Sequence, residues 1–275
     1  MKKILLFYLL GICYNSFSQI ITKSYELSSK LNETSGLEIY EDYFVTHNDS
    51  GNDPALFFID KEGKIIKTRF ITKYSNHDWE DITKDNNYFY IADTGNNFDN
   101  RKNLNIIKIP LDSNSQEQVQ KISFSYPEQK EFKYNLKSEF DAEALITIGE
   151  SLILFTKNRA TKSTQIYKLP KSPGIYEAEK IAELNTKAII TGADYHQETQ
   201  TLALTATIDF SSYYILTINK FSLDMDVNFN INKYEIPIQK CQVEAIKIIS
   251  PKNFWLTSED EMDNKSAILF KVEII

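Results

Sequence analysis

Cysteine and histidine are scarce in this chain of 275 residues, with two and three copies. Cys13 lies in an N-terminal leader, so the mature chain keeps Cys241 alone and cannot form an internal disulfide. The imidazoles of His47, His77 and His196 show no zinc-ligand spacing, which argues against a zinc centre. Eight glycines supply neither a Gly-rich phosphate loop nor a Gly-x-Ser-x-Gly nucleophile elbow. Positive charge is in deficit, 31 basic against 38 acidic residues. A negative chain gains nothing from counterion release on a phosphate backbone, so nucleic acid and acidic membrane surfaces are excluded as partners. Long apolar runs are missing too. The longest, Ile4–Cys13, is too short to cross a bilayer.

That run has the form of a cleaved export signal. Lys2 and Lys3 precede it, and Ser16-Phe17-Ser18 follows with small residues where a signal peptidase reads. Residues 1–18 are therefore read as a signal peptide, with Gln19 as the new N-terminus and 19–275 as one domain. Cys13 follows Ile12 rather than a small residue, which argues against lipidation. The expectation is a periplasmic or secreted protein, monomeric, with no membrane anchor after cleavage.

What the chain has in quantity is aromatic and β-branched residues in alternating runs, with 17 Phe and 16 Tyr. Five segments repeat one plan of short strands. Their openings are Ser35-Gly36-Leu37, Glu80-Asp81-Ile82, Glu143-Ala144-Leu145, Gly192-Ala193-Asp194 and Glu244-Ala245-Ile246. Second strands are predicted at 43–46, 88–92, 152–156, 202–205 and 254–257, and third strands at 56–60, 105–110, 165–170, 214–219 and 267–272. A fourth is clear only at 64–71 and 120–126. Units of four strands predict an all-β protein, a β-propeller with five blades, or six if the insertion at 127–138 hides a degenerate one. The last unit stops one strand short, and residues 20–27 form a strand without a unit. Their pairing would close the ring and remove an exposed edge.

Blade openings line a propeller's channel, which puts Glu80, Glu143 and Glu244 at equivalent places on three blades. Carboxylates converging on a pore repel one another unless a cation or shared protons relieve them. Hard oxygen donors suit Ca²⁺ or Mg²⁺. The competing reading is structural, each glutamate bonding a neighbouring blade. The loops His47-Asn48-Asp49-Ser50-Gly51-Asn52 and Ala92-Asp93-Thr94-Gly95-Asn96-Asn97 share Asp-(Ser/Thr)-Gly-Asn, a turn-forming sequence. Read functionally, they bring His47, Asn48, Asp49 and Asp93 to the channel mouth, with Lys157 balancing the acids. The two Asp-(Ser/Thr)-Gly triplets lie within successive units, too close for the two lobes of an aspartic protease. Trp79 has two readings, a wedge between blades or a platform for a sugar.

The order Glu33-Thr34-Ser35-Gly36-Leu37, Thr46–Asn52, Asp78-Trp79-Glu80-Asp81-Ile82, Ile91–Asn97 and Asp141-Ala142-Glu143-Ala144-Leu145 resembles a group of bacterial secreted β-propeller proteins. These are loosely similar to gluconolactonase-like and phytase-like propellers. The resemblance implies a divalent ion in the channel, with Glu80 or Glu143, Asn48 and Asp93 in the ligand parts.

These readings combine into a polar channel that binds or hydrolyses a small polar ligand, namely a lactone, ester or phosphoester. Glu80, Glu143 and Glu244 would hold Ca²⁺ or Mg²⁺, Asp93 and His47 would act as catalytic groups, and Asn48, Asp49, Trp79 and Lys157 would meet the substrate. The alternative is a non-enzymatic module that recognises a protein or glycan.

Overall fold

The computed structural model describes residues 19–112, 118–223, 229–238, 241–259 and 266–275. Residues 1–18, read above as a signal peptide and containing Cys13, lie outside them. The described residues hold β-strands and one 3₁₀ turn, Ser29–Leu31, with no α-helix. The chain begins with β1 (Gln19–Glu26). The first sheet is β2 (Thr34–Tyr40), β3 (Tyr43–Asn48), β4 (Ala55–Ile59) and β5 (Ile65–Phe70). The second is β6 (Trp79–Lys84), β7 (Tyr88–Asp93), β8 (Leu104–Pro110) and β9 (Gln120–Ser125). The third is β10 (Ala142–Ile148), β11 (Ser151–Thr156), β12 (Thr164–Pro170) and, after β13 (Gly174–Glu177), β14 (Glu179–Leu184). The fourth is β15 (Ile189–His196), β16 (Thr201–Thr207), β17 (Tyr213–Ile218) and β18 (Ile231–Glu235). The fifth is β19 (Val243–Ser250), β20 (Asn253–Ser258) and β21 (Ile268–Ile274).

Each sheet is an antiparallel meander with its first strand innermost, which makes five blades of a β-propeller. Strands β2, β6, β10, β15 and β19 pack in succession, and β19 packs on β2. The fifth sheet takes its outer strand from the first described residues, since β1 pairs antiparallel with β21 from Gln19↔Ile274 to Glu26↔Ile268. The six-blade alternative does not hold. Residues 127–138 contain no strand and fold as a loop. Strand β13 is an addition that sequence periodicity did not reveal, lying parallel to β9 on the outer edge of the second blade.

The hydrophobic core is divided into layers between neighbouring blades. Alternation turns one set of each strand's side chains toward the blade before and the other toward the blade after. Between the first and second blades, Val45, Leu56 and Phe58 meet Ile82, Phe89, Ile91 and Ile107 around Trp79. Trp79 has no exposed surface. The wedge reading therefore holds, and this ring offers no face to a sugar.

Candidate functional site

The inner strands each carry a bulge near the same end of the channel. In β6 the register slips between Trp79 and Asp81, in β10 between Ala142 and Ala144, in β15 between Ile190 and Gly192, and in β19 between Val243 and Ala245. The extra residues are Glu80, Glu143, Thr191 and Glu244. A bulge re-aims the residue it carries, and three of these are acids lining one cavity of about 210 Å³ at the mouth. The fourth opening is thus centred on Thr191 rather than Gly192. Its hydroxyl donates to Val243 O at 2.7 Å, as Ser35 Oγ does to Glu80 O, so two blades use hydroxyls to bond the next blade.

The predicted set Glu80, Glu143 and Glu244 is only partly brought together. Glu80 joins two tight groups of carboxylates, one with Asp49 and Asp78 and one with Asp141 and Glu143. In each group one oxygen per residue lies within 4.8 Å of the others. Glu244 lines the cavity and adds its charge beside Lys157 and Glu143, but it belongs to neither group.

The cations are unevenly shared. Lys157 Nζ lies 2.8 Å from Glu143 Oε2, and both side chains are buried. Burial opposes the lysine charge, but Glu143 and Glu244 outweigh it and hold Lys157 above the ordinary lysine range. Arg159 pairs with Asp141 and donates to Ser138 Oγ and Asn97 Oδ1 at 2.7 and 2.6 Å. Arg101 donates to Asp93 Oδ1 at 2.9 Å and to Gly95 O at 2.6 Å, while its contact with Asp78 stretches to 3.9 Å. Glu80 is 5 % exposed, and among the described residues its carboxylate meets neither a donor nor a cation. Burial, then the charges of Glu143 and Asp49, push its proton affinity well above the usual carboxylate range. Burial and the Asp49 charge likewise raise Asp78 to about 7. Burial also raises Asp49, less strongly, because the Ser50 amide and Lys157 oppose it.

Other predicted residues are held in supporting roles. Asp93 is buried with its carboxylate on Arg101, on the Asp78 amide at 3.2 Å and on exposed His77 at 3.3 Å. It positions Arg101 and Asp78 rather than facing the cavity. His47 is fully buried, edge-on to Trp79, and burial lowers its pKa to about 4. This neutral imidazole is sealed away from the mouth. Asn48 spends its amide on Lys30 O at 2.8 Å. Asp49 and Lys157 do reach the cavity.

Asp78, Asp141, Arg101 and Arg159 complete the site and were not singled out from the sequence. A signal for the acids was present, because Asp78-Trp79-Glu80 and Asp141-Ala142-Glu143 repeat Asp-x-Glu at the bulge.

No protein-family model matches the chain, and no curated protein matches it in sequence. Solved structures match in fold. The PQQ-bound aldose sugar dehydrogenase from Streptomyces coelicolor superposes with a TM-score of 0.52 at 8% identity, over 94% of this chain and 98% of that one. A chain of the mitotic checkpoint complex covers 100% of this chain and 99% of its own at 9% identity, with a TM-score of 0.45. At 8% identity the likeness to the dehydrogenase supports the propeller fold alone.

Proposed function

We propose that the channel mouth is a divalent-cation site, held by Asp49, Asp78 and Glu80, that binds a small polar ligand and hydrolyses a lactone, ester or phosphoester bond. The observation that carries this reading is the uneven neutralisation of the two carboxylate groups. Among the described residues Asp141 and Glu143 each own a cation, whereas Asp49 and Glu80 own none and Asp78 has only a distant one. Burying like charges without a counterion is costly, and hard oxygen donors suit Ca²⁺ or Mg²⁺. Ca²⁺–oxygen distances of about 2.3–2.6 Å allow ligand oxygens to stand up to about 5 Å apart, and the spacing here fits that limit.

A bound cation would polarise the ligand's oxygen. The chain's own residues do the rest. Arg159 and Asn97 border the cavity with donors for an ester or phosphate oxygen, and Lys157 pairs with Glu143 on its wall. The carboxylates gathered around the cation are placed to take a proton from water. Asp93, read from the sequence as a catalytic group, instead orients Arg101 beside Asp78. The leader at residues 1–18 supports a periplasmic or secreted location for this activity.

The test is the metal content of the purified mature chain, followed by assay against lactone, ester and phosphoester panels with and without chelator. Retained Ca²⁺ or Mg²⁺ and a chelator-sensitive turnover are expected. Retained metal with no turnover on any panel would leave a metal-dependent recognition module and contradict the hydrolytic step.

A further inference from the structure

The mouth cavity is polar except for one ring. Phe210, on the loop after β16, lines it with 48% of its surface exposed. Its backbone sits at φ +59°, a left-handed conformation that costs energy for a bulky residue. The loop enforces it. The Phe210 amide donates to Thr207 Oγ1 at 2.9 Å, and Asp209 Oδ1 accepts from the Ser211 and Ser212 amides at 3.1 and 3.2 Å. Such strain, spent on exposing an apolar ring beside carboxylates, calls for a ligand with an apolar face.

A second aromatic feature stands next to Asn97, which lines the same mouth. Phe98 and Tyr134 stack with ring centroids 4.5 Å apart and planes at 19°, and both are exposed, Tyr134 by 66%. The insertion 127–138 is fastened beneath them rather than hanging free. Buried Asp99 accepts from Asn135 Nδ2 at 2.8 Å and from the Glu139 and Phe140 amides, and Gln129 donates to Asp99 O at 2.8 Å. The Asn135 amide also donates to Phe98 O. This hub fixes an exposed aromatic pair directly after Asn97 in the chain.

A ligand with hydroxyls around its edge and C–H groups on its face matches that combination of polar walls and rigid rings. We propose that the mouth binds a carbohydrate, one sugar ring against Phe210 with its hydroxyls toward Asn97, Arg159 and the acids, and a further ring of a longer chain on the Phe98–Tyr134 stack beyond Asn97. This rests on the reading of the mouth as a ligand site and names its substrate class, so that the bond hydrolysed would be an ester, lactone or phosphoester carried by a sugar.

The experiment is saturation-transfer NMR on the mature chain with glucose, cellotetraose, maltotetraose and chitotetraose, in Ca²⁺ and in chelator. At least one tetrasaccharide is expected to bind. Phe210→Ala should weaken it by about tenfold or more, the loss of one ring contact, while Phe210→Tyr keeps it. Tyr134→Ala, at an exposed site, should weaken tetrasaccharide binding and leave monosaccharide binding unchanged. Silence from every sugar, or Phe210→Ala binding like the wild type, would overturn the proposal. The Ca²⁺ shift in melting temperature, read on the same samples, reports the cation site separately. A shift that survives without sugar binding rejects the carbohydrate alone, and sugar binding on Phe210 without a shift rejects the cation alone.

Discussion

A β-carbon at position 95 would overlap Glu80 Oε1 and the Asp78 carboxyl, so the missing side chain is what lets these two acids face each other. Gly95→Ala must push one of them aside. The expected result is a fold unchanged by circular dichroism and a lost Ca²⁺ response; a response equal to that of the wild type would contradict this role. Protons compete with the cation for the same oxygens, so affinity should fall as pH drops below about 7, where Asp78 takes up its proton. Without metal, Asp78 also makes stability depend on pH. The unfolded chain loses this proton near pH 3.9 and the folded chain near 7. Its contribution is therefore fully present below about pH 4 and is lost as pH rises through about 7. His47 acts in the opposite sense, because its folded pKa of about 4 is below the ordinary 6.5 and stability falls on acidification between them. The wild-type curve mixes these effects with those of the other buried acids, and the difference from Asp78→Asn reports Asp78 together with the Asp49 and Glu80 carboxyls it touches. In chelator, the asparagine variant should gain on the wild type as pH rises from 4 to 7.5. A difference that stays constant with pH would contradict the raised Asp78 pKa.

At the scale of the element, what could be read from the sequence follows burial. The second and third strands of every blade, such as β7 and β11, are buried apolar runs and were legible. Strands β14 (EKIAEL) and β18 (INKYE) are outer strands with largely open faces, and their mixed composition gave no periodic signal. The channel acids were legible because the same residue recurs at the same bulge. Asp93 was misplaced for a definable reason. Matching Asp-Ser-Gly-Asn to Asp-Thr-Gly-Asn aligns Asp49 with Asp93, but the backbone aligns Asp49 with Thr94, Lys157 and Glu259. Their amides donate to Glu33, Asp78, Asp141 and Gln242, the residues two before each opening. A shift of one residue turns a strand side chain to the other face, which takes Asp93 out of the cavity. Arg101 and Arg159 carried no signal, since they lie in irregular loops and reach the site through tertiary contacts.

For the molecule as a whole, the five interblade layers leave no blade with an independent core, so stability should depend on the ring. The pairing of β1 with β21 covers the edge that β21 would otherwise expose. Deleting residues 19–28 from the mature chain is expected to broaden the melting transition and promote aggregation. A truncated chain that melts as sharply and as high as the intact one would contradict that dependence. The central claim is that the mouth divides its acids between a built-in ion pair and a cation site. Melting curves of the wild type, Glu80→Gln and Glu143→Gln, each in Ca²⁺ and in chelator, test it most directly. At a hundredfold excess over Kd, Ca²⁺ should stabilise the wild type by about 2.7 kcal/mol, a shift of roughly 5–10 °C. Glu80→Gln should lose that shift and, in chelator, melt no lower than the wild type, because among the described residues the Glu80 carboxyl makes no ion pair or hydrogen bond to lose. Glu143→Gln strands Lys157 and should melt lower under both conditions, by up to about 3–5 kcal/mol, less where Glu244 takes over the lysine. A wild-type curve unmoved by Ca²⁺ and Mg²⁺, with both variants destabilised alike, would make Glu80 part of the blade scaffold and contradict the cation site.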